Sequence, residues 1–99
     1  MNTLVAEPVV SDAIDVRVSN EELVVFLLDG RTISIPLEWY PRLLHASAEE
    51  RLEWELIGGG EGIHWPQIDE DVQVSALIFG LPSCETQKSL QRWLQSRLR

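Results

Sequence analysis

The chain is 99 residues long, 44% hydrophobic with four tryptophans, and carries a net charge of −8. At that length one domain is expected, because a chain of about 100 residues buries only about two-thirds of the surface its unfolded form exposes. The single Cys84 excludes an internal disulfide framework and a cysteine-based zinc site, and it fits a reducing compartment.

Charge is unevenly placed. Residues 1–83 hold fifteen acids against Arg17, Arg31, Arg42 and Arg51, a balance of −11, whereas residues 84–99 hold Glu85 against Lys88, Arg92, Arg97 and Arg99, a balance of +3. An acidic body repels phosphate backbones and attracts a basic protein partner. The same acids also keep a small protein soluble. The sequence opens with no basic-then-apolar leader, and its longest apolar run, Leu23 to Leu28, is too short to span a bilayer. The expected location is therefore cytoplasmic.

Residues 1–11 lack periodicity and read as a loose or edge-pairing start. Ile14, Val16 and Val18 alternate with Asp15, Arg17 and Ser19, the pattern of a half-buried strand. After a turn at Asn20-Glu21-Glu22, Leu23 to Leu28 reads as a central strand covered on both faces. Asp29-Gly30 predicts a two-residue hairpin turn, and Thr32 to Ile35 the returning strand, which Pro36 ends. LEWYPRLLHAS predicts a short helical stretch initiated at Pro41, with Trp39, Tyr40, Leu43 and Leu44 turned inward. Ser47 and Glu50 form a capping box for a helix running to Ile57, its face marked by Leu52, Leu56 and Ile57, and Gly58-Gly59-Gly60 ends it.

Beyond the glycines, Ile63 to Trp65 predicts a short strand closed by Pro66, and Val72 and Val74 another. Ala76 to Phe79 is an apolar patch, and Leu81-Pro82 breaks the chain. Ser83 is the expected N-cap of a last helix reaching about Leu98, with Leu90, Trp93, Leu94 and Leu98 on one apolar stripe. Lys88, Arg92 and Arg99 lie opposite that stripe. The organisation expected is an acidic α+β domain over residues 1–82, an antiparallel meander packed by one or two helices. An amphipathic helix over 83–99 belongs to the same domain or to an oligomer interface.

The chemically densest segment is GIHWPQIDEDV, residues 62–72. His64 could act as a base or ligand oriented by Asp69, Glu70 or Asp71. A metal site usually needs more than one imidazole or thiolate, and His45 lies far off; the acids also lack EF-hand spacing. On a strand, His64 faces opposite to Ile63 and Trp65. Asp69 then caps a turn, and Glu70 and Asp71 stay solvated, so the segment reads as structure before chemistry. GGGEG lacks the Lys-Ser/Thr pair and the strand–helix order of a phosphate loop. Cys84 has Glu85 beside it, which works against a thiolate. No cofactor, metal or catalytic residue is expected.

The combined motifs DGR, PLEWYPRLLHAS and GIHWPQIDEDV resemble those of the bacterial family catalogued as domain of unknown function 2442, over roughly residues 12–80. The resemblance implies a small α+β domain. It also implies a place beside a second small protein, in an arrangement similar to a toxin–antitoxin pair with this type of protein as the antitoxin. Some relatives continue into a helix-turn-helix domain; here about nineteen residues follow Gly80, enough for one helix.

The function expected is a non-enzymatic acidic module that binds a basic protein partner. The candidate contact residues are Trp39, Tyr40, His64, Trp65, Asp69, Glu70, Asp71 and Trp93. The alternative is a homo-oligomeric structural or regulatory domain that exchanges its C-terminal helix. An enzyme centred on His64 with Asp69 or Asp71 comes third, and direct nucleic-acid binding by the basic helix last.

Overall fold

The computed structural model describes residues 8–98, so the reading of residues 1–7 and of Arg99 lies outside the described residues. The fold is α+β. β1 (Ala13–Val18), β2 (Glu22–Leu27) and β3 (Thr32–Pro36) form one antiparallel sheet in sequence order. A single-turn segment at Leu37–Trp39 leads to the short helices α1 (Pro41–Leu44) and α2 (Ala48–Leu52). A second antiparallel sheet follows, also in sequence order: β4 (Glu55–Ile57), β5 (Gly62–Trp65) and β6 (Glu70–Gln73). The chain ends with α3 (Val74–Ile78) and α4 (Gln87–Ser96). Both sheets contribute to one core: Val16, Leu23 and Val25 from the first, Ile63, Trp65 and Val72 from the second, with Leu43 and Leu77 from the helices.

The first sheet follows side-chain alternation closely. Leu23, Val25 and Leu27 point into the core, and Val24 and Phe26 lie half-exposed on the other face, so β2 is central in order but covered on one face only. Ile14 is the exception. A register shift between Ala13 and Asp15 sends Ala13 inward and leaves Ile14 55% exposed, because an extra residue reverses which face each neighbour occupies. The Asp29-Gly30 hairpin has three loop residues rather than two. Asp29 keeps a negative φ, and only Gly30, at φ 97°, takes the left-handed position that follows a type I turn.

The largest departure from expectation is at α2. The capping box is present: Glu50 N–H donates to Ser47 Oγ at 3.1 Å, and Ser47 N–H donates to Glu50 Oε1 at 2.8 Å. The helix stops after Leu52, however, and Glu55–Ile57 is a strand. The indole N–H of Trp65 donates to the Arg51 carbonyl at 3.1 Å, taking the acceptor that the next helical turn would use. As a strand, residues 55–57 pair with β5, Leu56 opposite Ile63, while Leu52 is left 73% exposed.

Gly58-Gly59-Gly60 is thus a strand-to-strand connection and not a helix end. At Gly60, φ is 111° and an added Cβ would lie 2.5 Å from the Ala13 carbonyl oxygen. The missing side chain is what lets β1 cross the tip of the second sheet.

Two further expectations shift by a few residues. Val74 opens α3, its N–H closing the last rung on the Glu61 carbonyl at 2.9 Å. The last helix is capped by Thr86, whose hydroxyl accepts from Ser89 N–H at 3.0 Å, while Ser83 instead accepts from Glu85 N–H at 3.0 Å. Leu98 is exposed at the end of the chain described.

Candidate functional site: an acidic groove beside His64

The second sheet has a buried face and an open one. Its strand register places Glu55, His64 and Asp71 in one row of the open face, and Ile57, Gly62 and Gln73 in the next. The Val74-to-Glu61 bond fixes the ladder phase, so His64 and Asp71 are a non-hydrogen-bonded pair, in which opposed side chains come closest. His64 Nδ1 lies 2.5 Å from an Asp71 carboxylate oxygen. Their side chains are 28% and 66% exposed, which puts the pair in water-accessible surface.

Beside this pair runs a groove of about 550 Å³. Gly62 lies at its floor with the Ile57 side chain packed over it, Val10 and Ile57 give aliphatic walls, and Asp12, Glu61 and Asp71 line it with no cationic side chain among the lining residues. The groove reaches Asp71 but has neither His64 nor Asp69 in its lining. Asp12 arrives there because β1 passes over Gly60, and Glu61 because the glycine turn projects it beside Gly62.

The three acids of the DED motif have separate fates. Asp69 takes a left-handed conformation, φ 51°, in the turn between β5 and β6, a position Asp tolerates better than most residues. Asp71 faces the groove. Glu70, expected in water, is buried, because strand alternation opposes it to Trp65 on the core face. Burial above all, and then the Glu85 carboxylate, push Glu70 up to about 7, against the pull of Arg42.

Around Glu70 lies a clasp that holds the C-terminal segment. Arg42 donates to Glu85 through Nε at 2.8 Å and a terminal nitrogen at 3.2 Å, and to the Ile68 carbonyl at 3.0 Å. Burial opposes charge on Glu85, but the Ser89 hydroxyl and Arg42 hold its carboxyl below the usual range. The Trp93 ring carries the Arg42 guanidinium 5.3 Å from its centroid and that of Arg97 at 4.5 Å. Arg97 in turn donates to both carboxylate oxygens of Glu50, at 3.0 and 2.7 Å. The Tyr40 hydroxyl donates to the Leu81 carbonyl at 3.2 Å; burial, then Glu70, raise it to about 12.

The eight sequence candidates therefore do not share one surface. Trp65 and Tyr40 are core residues and offer no face to a partner; Glu70 is inside; Trp39 is half-buried; Trp93 is engaged by the clasp. His64, Asp69 and Asp71 reach the surface, and only Asp71 meets the groove. Asp12, Glu61, Val10 and Ile57 line the groove without being among those eight. Glu61 had a signal, a charge inside a glycine turn; Asp12 had none, since its placement depends on the contact at Gly60. Among the described residues no three His, Cys, Asp or Glu side chains gather as metal ligands, and no helix is long and apolar enough to cross a membrane.

Fold and site together define a small two-sheet α+β domain with an acidic groove on its second sheet. The chain belongs to the family described as protein of unknown function (DUF2442), whose profile matches residues 13–83. It is similar to a crystal structure at 2.75 Å of a protein of unknown function from Rhodospirillum rubrum ATCC 11170, with 26% sequence identity and a TM-score of 0.65. That match covers 86% of this chain and 99% of the other. No curated protein matches the chain.

Proposed function

We propose that this protein is a non-enzymatic binding module that takes a basic segment of a partner protein in the groove beside His64. The observation that carries this reading is the lining: three carboxylates, aliphatic walls and no cation. The net charge of −8 supports it by steering a cationic partner toward the body, which raises the rate of encounter. The aliphatic walls would cover the stems of Lys or Arg side chains while the carboxylates meet their charged ends. A toxin-like product of a neighbouring gene is the partner that the motif resemblance suggests, with this chain acting as the antitoxin in a cytoplasmic pair.

Co-expression with the product of the neighbouring gene tests this. A single complex is expected by size exclusion, and the triple variant Asp12→Asn, Glu61→Gln, Asp71→Asn should release the partner. Separate elution of the wild-type pair, or a complex indifferent to all three substitutions, overturns the reading.

A further inference from the structure

We propose that the outer edge of β6 receives the partner's basic segment as a fourth strand of the second sheet. This rests on the groove being the binding site, and it assigns the manner of binding. β6 is terminal in the order β4-β5-β6. The ladder phase fixed by the bond from Val74 N–H to the Glu61 carbonyl directs Val72 and Glu70 toward β5, so the backbone groups of Asp71 and Gln73 point away from it.

Among the described residues no hydrogen bond outside the regular elements engages the Asp71 N–H, the Asp71 carbonyl or the Gln73 N–H. Such a row is a template for strand addition, in which main-chain bonds give affinity and alternate side chains give specificity. The groove's lining takes in Asp71 to Ser75 as well as Gly62 and Ile57 on the inner strands, so an incoming strand lies along its rim and long side chains reach into it. Alternate side chains of that strand fall on the same face as Asp71. There a Lys or Arg finds Asp12, Glu61 and Asp71, whereas an acidic residue meets repulsion. Charge thus selects the occupant.

Proline at Gln73 separates the two ideas. Gln73 has φ −84°, near the value proline fixes, and its N–H is not part of the β5 ladder, so Gln73→Pro removes an outward donor while keeping the sheet. The probe is an eight-residue peptide of alternating lysine and valine, titrated into the isotopically labelled full chain. Strand addition predicts slowed hydrogen exchange at the Asp71 and Gln73 amides in the wild type, and about tenfold weaker binding by Gln73→Pro, the order expected for losing one hydrogen bond and meeting the proline ring.

If the peptide binds with neither amide protected, or Gln73→Pro binds it as well as wild type, strand addition is wrong. The acidic groove then still stands, provided that the variant Glu61→Gln, Asp71→Asn loses the peptide. If the wild type does not bind the peptide, both ideas fall. Protection of the two amides that rises with protein concentration and needs no peptide would assign the edge to a second copy of the chain, and overturn the proposal. Exchange in the wild type gives an answer even if Gln73→Pro does not fold.

Discussion

The two sheets of this protein have the same strand number, direction and order, yet they are stabilised differently. The first is held by side chains: alternating aliphatics on β1, β2 and β3 fill the core, and short turns join the strands. The second depends on its backbone. Its strands are three or four residues long, two adjacent turns contain left-handed residues, and one core-facing position is a carboxyl group. Its apolar alternation is brief, Ile63 and Trp65 on β5 and Val72 on β6, so few side chains set its register. Its specificity lies in single positions that cannot be exchanged.

Glycine replacement gives the sharpest test of that contrast. Gly60→Ala should destabilise the protein by about 4 kcal/mol, combining left-handed strain with a backbone clash that cannot relax. Gly30→Ala in the first sheet, left-handed but with nothing within 4 Å of the added carbon, should cost about 1 kcal/mol. Urea unfolding of both variants measures the difference, and equal losses would erase the distinction between the sheets.

Next in size is the pH response of Glu70. A carboxyl raised in the folded state favours the fold most while it is protonated in both states. The benefit is lost as pH climbs from the ordinary value of 4.5 through the folded value of about 7. Wild-type stability should therefore fall between about pH 5 and 8 by at most about 3 kcal/mol. Glu70→Gln should flatten that fall, with its advantage growing toward pH 8. A parallel pH curve for the variant would show that Glu70 is hydrated after all.

The smallest effect is expected at Ile14. Alternation alone makes it a core residue of the first sheet, but the bulge turns it outward, so Ile14→Ala should change stability by no more than about 0.5 kcal/mol. A loss of 2 kcal/mol or more in thermal unfolding would mean that the register shift is absent in solution.

The same contrast decides what could be read from the sequence. The meander, the capping box, Pro41 at the start of α1 and the strand at Ile63–Trp65 follow from local rules, because each depends on residues within a few positions. The early end of α2 depends on Trp65 reaching back fourteen positions to Arg51, and no local pattern carries that. Helix propensity over 53–57 lost to a tertiary hydrogen bond and to the pairing of Leu56 with Ile63. The groove was half legible. Asp71 stood out in the DED motif, whereas Asp12 entered only through the crossing at Gly60. WYPRL and GIHWP proved to be joints rather than a surface: Tyr40, Arg42 and Trp65 each bond to a carbonyl of a distant segment.

The clasp around Trp93 has a consequence for the way the molecule breathes. A ten-residue helix is too short to persist alone in water. For α4, folding and docking are therefore one event, tied to the body through Arg42–Glu85 and Glu50–Arg97. Its detachment is a local opening that leaves both sheets intact. That opening would uncover the indole of Trp93 and take from Glu70 the Glu85 carboxylate that helps to raise it, while Arg42 keeps its bond to the Ile68 carbonyl.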